Sequence, residues 1–262
     1  MSREAAAGRN AAPPPDWDAV SYDRISDLQL AWGREVLDRL ELRGDEVVLD
    51  AGCGTGRVTA MIADRLSRGR VIGVDASPSM IEHARELPEL DAELIVSDLL
   101  KLDLREPVDV VFSNATFHWI ADHDALFRRL YGLLRPGGRL GAQCGAEGNV
   151  SSLVEAFRIT SRESPYVEHF RGWEGPWFFA PANETKKRLE RIGFEGVRCW
   201  TEDKRVVLEN PREFHRTVGF AAHLERLPSD LHDDFFEAVL ARVRDPSVQD
   251  YVRLNISARR PG

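Results

Sequence analysis

The chain predicts an α/β fold, doubly wound on a mostly parallel seven-stranded sheet with helices on both faces, and three observations carry that expectation. Short apolar runs alternate with stretches of helical periodicity at regular intervals. The runs, such as Val47-Val48-Leu49 and Val71-Ile72-Gly73-Val74, lack the period-two alternation of a half-solvated strand and read as strands covered on both faces. Successive runs end in a carboxylate or an amide, at Asp50, Asp75, Asp98 and Asn114, where open α/β sheets bind their ligands.

Taken in order, residues 1–15, with Pro13-Pro14-Pro15, predict a disordered N-terminus, and residues 16–262 a single domain. Trp17 and Tyr22 precede a helix that carries Ile25, Leu28, Trp32, Val36 and Leu40 on one stripe and ends before Gly44. The first strand runs to Asp50. A helix over Val58–Leu66 follows, then a second strand, Val71–Asp75. Ser77-Pro78 has the pattern of an N-cap with proline at the first helical position, and opens a helix through Met80, Ile81, Ala84 and Leu87. Strands over Ala92–Ser97 and residues 109–113, a helix over Asp122–Leu134 and a strand over Arg139–Cys144 bring the strands to five. Helix Asn183–Ile192, strand Gly196–Thr201, two helices within 211–244 separated by Pro228, and strand Tyr251–Arg259 follow. Two segments break the rhythm, about 146–180 and 210–245. The first is rich in glycine, proline and aromatics. Both are expected to form a helical and aromatic cap over the carboxyl edge of the sheet.

The turn after the first strand, Gly52-Cys53-Gly54-Thr55-Gly56, puts glycine at every second position, so its backbone is expected to lie close to a ligand that Cβ atoms would block. A dinucleotide loop would instead want Gly at position 57, where Arg stands, which disfavours a nicotinamide-dependent dehydrogenase. The acids Asp50, Asp75 and Asp98 are separated by about one βα unit each and converge along one sheet edge. Asp75 is suited to accept from a ribose diol and Asp98 from an exocyclic amine, which together point to a nucleoside-type cofactor.

The net charge of -8 opposes a nucleic-acid partner. Three scattered cysteines, Cys53, Cys144 and Cys199, form neither a disulfide framework nor a zinc pattern, and no metal is expected. No apolar segment approaches the length of a membrane span, and the N-terminus lacks the apolar core of a secretory signal. A cytoplasmic monomer or homodimer is the expectation.

With these residues in view, the chain resembles the class I S-adenosylmethionine-dependent methyltransferases, whose sheet is Rossmann-like. Val48-Leu49-Asp50-Ala51-Gly52-Cys53-Gly54-Thr55-Gly56 is similar to their first motif, Ile72-Gly73-Val74-Asp75-Ala76-Ser77 to the second and Ser97-Asp98-Leu99 to the third. Leu134-Arg135-Pro136-Gly137-Gly138-Arg139-Leu140 is similar to their turn before the fifth strand. Trp17 and Tyr22, residues 113–119, Asp122-His123 and Tyr251-Val252-Arg253-Leu254-Asn255-Ile256 resemble, more narrowly, the trans-aconitate methyltransferase-related group, which includes small-molecule carboxyl O-methyltransferases. The resemblance implies S-adenosyl-L-methionine as cofactor and S-adenosyl-L-homocysteine as product. It assigns to the cofactor Tyr22, Gln29, Asp50, Gly52, Cys53, Gly54, Gly56, Asp75, Ala76, Met80, Asp98, Leu99 and Asn114. The Asn-Pro-Pro-Tyr strand end of adenine and glutamine methylators is absent, which argues against DNA or protein-amide substrates.

The expected function is therefore methylation of a small molecule, foremost at a carboxylate or hydroxyl oxygen. The alternatives are C- or N-methylation of a small metabolite, a nucleic-acid methyltransferase, or a catalytically silent cofactor-binding subunit. A carboxylate acceptor needs no base, whereas a hydroxyl or amine does. His118, four residues beyond Asn114, is the candidate base or substrate orienter. Trp119, Trp173 and Trp177 are candidates for the acceptor pocket, with cap packing as the competing role for the latter two. His123 reads as a helix-start residue and His223 as a cap residue.

Overall fold

The computed structural model describes residues 19–88 and 90–262. The expectations for residues 1–15 and for Trp17 lie outside the described residues. Seven strands form one sheet: β1 (Val47–Ala51), β2 (Arg70–Asp75), β3 (Glu93–Val96), β4 (Val108–Asn114), β5 (Leu134–Gly145), β6 (Glu195–Val207) and β7 (Val248–Arg259). Their order is β3-β2-β1-β4-β5-β7-β6, parallel except for β7, which pairs antiparallel with both neighbours. The chain order reverses between β1 and β4, and this switch point is where such sheets hold ligands.

Neighbouring residues of one strand feed opposite cores, as the apolar runs demand. Val48, Val71, Val110 and Phe112 pack with Val36, Leu37, Leu40 and Ile62 of helices α2 (Asp27–Leu40) and α3 (Arg57–Ala63). Leu49, Ile72 and Val111 pack on the other face with Leu126, Phe127, Leu130 and Leu189 of α5 (His123–Leu133) and α7 (Ala182–Ile192). Between them in sequence, α4 (Pro78–Arg85) opens with the predicted cap, the Met80 N–H donating to Ser77 Oγ at 3.3 Å.

Departures from expectation have local causes. The first helix is two, α1 (Ala19–Ile25) and α2, broken at Ser26, whose Oγ donates back to Asp23 O at 3.1 Å. Strand β5 starts at Leu134 and runs through Pro136-Gly137-Gly138 with an irregular register against β4, where a turn was expected. Strand β6 extends to Val207 because β7 pairs with it as far as Val248. Residues 211–240 form short pieces: α8 (Pro211–Phe214), a wide turn of helix at His215–Gly219, α9 (Ala221–Leu224), a tight turn at Ser229–Leu231 and α10 (His232–Leu240). These share a third apolar cluster with α6 (Ser151–Thr160), Tyr166 and Phe170, and the cluster reaches Trp32 of α2 and Tyr251 of β7. Both irregular segments thus pack together at one end of the sheet. No helix among the described residues is long and apolar enough to cross a membrane.

Candidate active site

A cleft of about 180 Å³ opens over the carboxyl ends of the central strands. Tyr22, Gln29, Gly52, Gly54, Asp75, Ala76, Met80, Asp98, Leu99 and Asn114 line it together with His118, Trp119 and Trp177. A smaller cavity of about 60 Å³ shares Tyr22, Gln29, Gly52, Gly54 and Asn114 with it and is bordered also by Asp50 and Cys53. Two of the expected residues stand elsewhere. Gly56 borders neither cavity, and Trp173 lines a separate groove in the cap.

The three loop glycines have positive φ, +88°, +54° and +84° at positions 52, 54 and 56, but only one of them frees space for a ligand. A Cβ on Gly52 would fall 2.0 Å from Thr116 Oγ1, and one on Gly56 2.9 Å from Leu90 Cδ2. Only at Gly54 would a Cβ meet nothing within 4 Å. The expectation of one shared role is corrected: Gly52 and Gly56 allow the loop to pack on β4's end and α4's end, and Gly54 presents bare backbone to the cleft.

The strand-end acids differ in the same way. Asp75, which lines the cleft, accepts from the Gly54 and Ser77 N–H groups, both at 2.9 Å, which ties the glycine loop to the end of β2. Asp98, two residues beyond β3, is exposed and accepts from the Leu100 N–H at 2.9 Å. Asp50 is fully buried and receives Thr59 Oγ1 at 2.7 Å. Burial pushes its carboxyl up to about 7, opposed by the Thr59 bond and reinforced by the charge of Asp75. Burial first, then the charges of Asp50 and Asp75, raise the Cys53 thiol well above its usual range, so Cys53 is a packing residue and not a nucleophile.

Helices α1 and α2 close the cleft because the loop holds them. Thr55 Oγ1 donates to Asp23 Oδ1 at 2.9 Å, and Arg57 donates to Asp23 O, Ser26 Oγ and Asp27 Oδ1 at 3.1, 3.1 and 2.8 Å. Asn114 Nδ2 donates to Gln29 O at 2.7 Å, joining β4 to α2. The side-chain oxygens of Gln29 and Asn114 are left buried, without a partner among the described residues. Buried acceptors of that kind call for a donor.

On the other side of Asn114, the turn Phe117–Trp119 presents His118, which is 8% exposed. Its Nδ1 accepts the Gly145 N–H at 3.3 Å, so the neutral ring carries its proton on Nε2. Burial first, then the charges of Arg253 and His123, hold its proton affinity well below normal. His118 is therefore an N–H donor at neutral pH. His123 bonds Phe117 O through Nε2 at 2.9 Å and edges the Phe127 and Phe178 rings, a structural role at the helix start.

Arg253 stood in the sequence only within the resemblance to the trans-aconitate group, with no site role given to it. Arg253 of β7 is 2% exposed and lines the cleft, its guanidinium 4.5 Å over the Trp32 ring and its Nε donating to Gln143 Oε1 at 3.3 Å. Gln143 Nε2 in turn donates to Asn255 Oδ1 at 3.0 Å, which also receives Arg39 at 2.7 Å. Arg253 pairs with no carboxylate among the described residues, and its Nη2 has no partner there. Its signal was the alternation Gln249, Tyr251, Arg253, Asn255, a polar stripe on a buried strand face.

These groups fit an aminoacyl nucleoside. The bare backbone at Gly54 and acceptors at Asp75 and Asp98 suit its nucleoside, and the orphaned oxygens of Gln29 and Asn114 suit an ammonium. The chain belongs to the class I S-adenosylmethionine-dependent methyltransferases. Residues 48–138 match the family model described as a methyltransferase domain. The trans-aconitate 2-methyltransferase of Azoarcus sp. strain BH72 is 38% identical over 243 residues, 87% of this chain and 90% of that one. That of Methylobacterium radiotolerans is 40% identical over 129 residues, 49% of either chain. Among solved structures, Haemonchus contortus phosphoethanolamine N-methyltransferase 2, in complex with phosphomonomethylethanolamine and S-adenosylhomocysteine, overlays with a TM-score of 0.62 at 17% identity, over 93% of this chain and 57% of that one. The [4+2]-cyclase SpnF overlays with a TM-score of 0.55 at 19% identity, over 88% of this chain and 80% of that one. At such identities the likeness concerns the fold alone.

Proposed function

We propose that this methyltransferase forms methyl esters of small organic acids. The observation that carries the reading is Arg253, a buried guanidinium with an unfilled N–H and no carboxylate partner among the described residues, in the same cleft as the His118 donor. A buried charge calls for a counter-charge, and an acid in the acceptor would supply it. The identity to trans-aconitate 2-methyltransferases supports the same class of acceptor.

S-adenosylmethionine held by these residues would supply an activated methyl group, its S–CH₃ bond giving way to the O–CH₃ bond of the ester with S-adenosylhomocysteine as the other product. The residues of this chain then have three tasks. Asp75, Asp98, Leu99, Met80 and Ala76 hold the nucleoside, while Gln29, Asn114 and, behind them, Asp50 receive the ammonium. Arg253 and the Nε2–H of His118 hold the acceptor carboxylate with one oxygen directed at the methyl. Trp119, Trp177 and the closing helices exclude water and fix the approach. No base is required, because a carboxylate is already ionised at neutral pH. The neutral state of His118, whose Nδ1 is taken by the Gly145 N–H and whose Nε2 carries the proton, agrees with that requirement.

Arg253→Met tests the assignment, since it keeps most of the volume and removes the charge. The expected outcome is a rise in acceptor KM of about a hundredfold with cofactor affinity changed less than about threefold. Loss of cofactor affinity with acceptor KM retained would instead assign Arg253 to the methionine carboxylate and remove the support for an acidic acceptor.

A further inference from the structure

The cap holds a second cavity, an outer groove of about 600 Å³, which the assignments above leave without a role. It is walled by Phe157, Phe170, Trp173, Trp177 and Phe179, and Trp177 and Phe179 also line the catalytic cleft. A row of stacked rings lines the wall that the two spaces share. Phe179 stacks on His118 at 5.7 Å, Trp177 stacks on Phe179 at 5.8 Å, and His223 lies 5.8 Å beyond Trp177. His223 is 3% exposed, and its Nδ1 has no partner among the described residues.

The rim is basic. Arg158, Arg162 and Arg171 border the groove against one acid, Glu174. Two of these guanidiniums are engaged, Arg158 with Glu155 and Arg171 with Glu168. Arg162 has no ion pair among the described residues and is exposed to solvent. The groove thus combines aromatic walls, two of whose residues also line the cleft, with a rim arginine, Arg162, that makes no ion pair among the described residues.

We infer that the outer groove binds the distal part of the acceptor, and that the acceptor is an elongated amphipathic diacid. Its reacting carboxylate lies at His118 and Arg253, its apolar body crosses Trp177 and Phe179, and its second anionic end reaches Arg162. This rests on the reading of the cleft as a carboxylate-methylating site.

A series of α,ω-dicarboxylic acids from succinate and adipate to dodecanedioate and hexadecanedioate tests it, with ester formation read by mass spectrometry. Catalytic efficiency should rise at least about tenfold from the short to the long members. The long-to-short ratio should fall about tenfold in Arg162→Gln, and cofactor affinity by calorimetry should not move. A ratio that is flat in the wild type, or unchanged in Arg162→Gln, overturns the inference. If no diacid is methylated, calorimetric binding of dodecanedioate decides separately. Binding weakened by Arg162→Gln supports the groove even though the carboxylate reading has failed, and absence of binding overturns it.

Discussion

At the scale of single residues, Asp50 is the acid whose ionisation this fold opposes. Burial raises its carboxyl to about 7 from an unfolded value near 3.8, so the folded chain binds that proton more tightly than the unfolded one. Stability must then fall as pH rises from about 4 to about 7 and stay level above, by an amount on the order of a few kcal/mol. Asp50→Asn removes that dependence. In thermal melts without ligand, the variant should gain on the wild type between pH 5 and pH 8, and parallel curves over that range would contradict the assignment. Residues of this kind were legible in sequence because an acid at the end of an apolar run has few roles. Arg253 was not legible, because β7 reads locally as an ordinary strand. Its burial depends on a cap contributed by residues about a hundred positions away, and on Trp32 and Gln143 from two other elements.

At the scale of elements, the glycine loop concentrates the account. Its conformation was readable from the spacing, but the purpose of each glycine was not, since that depends on Thr116 and Leu90, which approach from elsewhere in the chain. The separation yields a paired prediction. Gly52→Ala meets Thr116 at positive φ and should cost about 3 kcal/mol or more of stability. Gly54→Ala should cost only about 1–2 kcal/mol, from φ alone, yet lower cofactor affinity by more than tenfold, because its methyl enters the cleft. Equal loss of stability in both, measured by denaturant unfolding, would contradict the distinction. The break between α1 and α2 escaped prediction for a similar reason. The apolar stripe continues across Ser26, and it is Arg57, across the loop, that bonds the break.

At the scale of the whole molecule, alternating apolar runs announced the sheet and its winding, because strands buried on two faces have a distinctive composition. The cap was legible as a departure from that rhythm and no more. Its short helices around Pro211–Leu240 have no regular stripe of their own, and they cohere through rings such as Phe157, Phe220 and Phe235 that meet only in three dimensions. Under the proposed function the cleft divides between two structures: strand ends and a glycine loop face the cofactor, and cap rings with Arg253 face the acceptor.

The direct test of that division is the chemical nature of the product. Protein incubated with methyl-labelled S-adenosylmethionine and a panel of small carboxylic acids, phenols and amines should transfer label to acids only. That label should be released as methanol by mild hydroxide, as an ester requires. Label that survives hydroxide, or that appears only on amines or phenols, would contradict the carboxylate reading and with it the role given to Arg253.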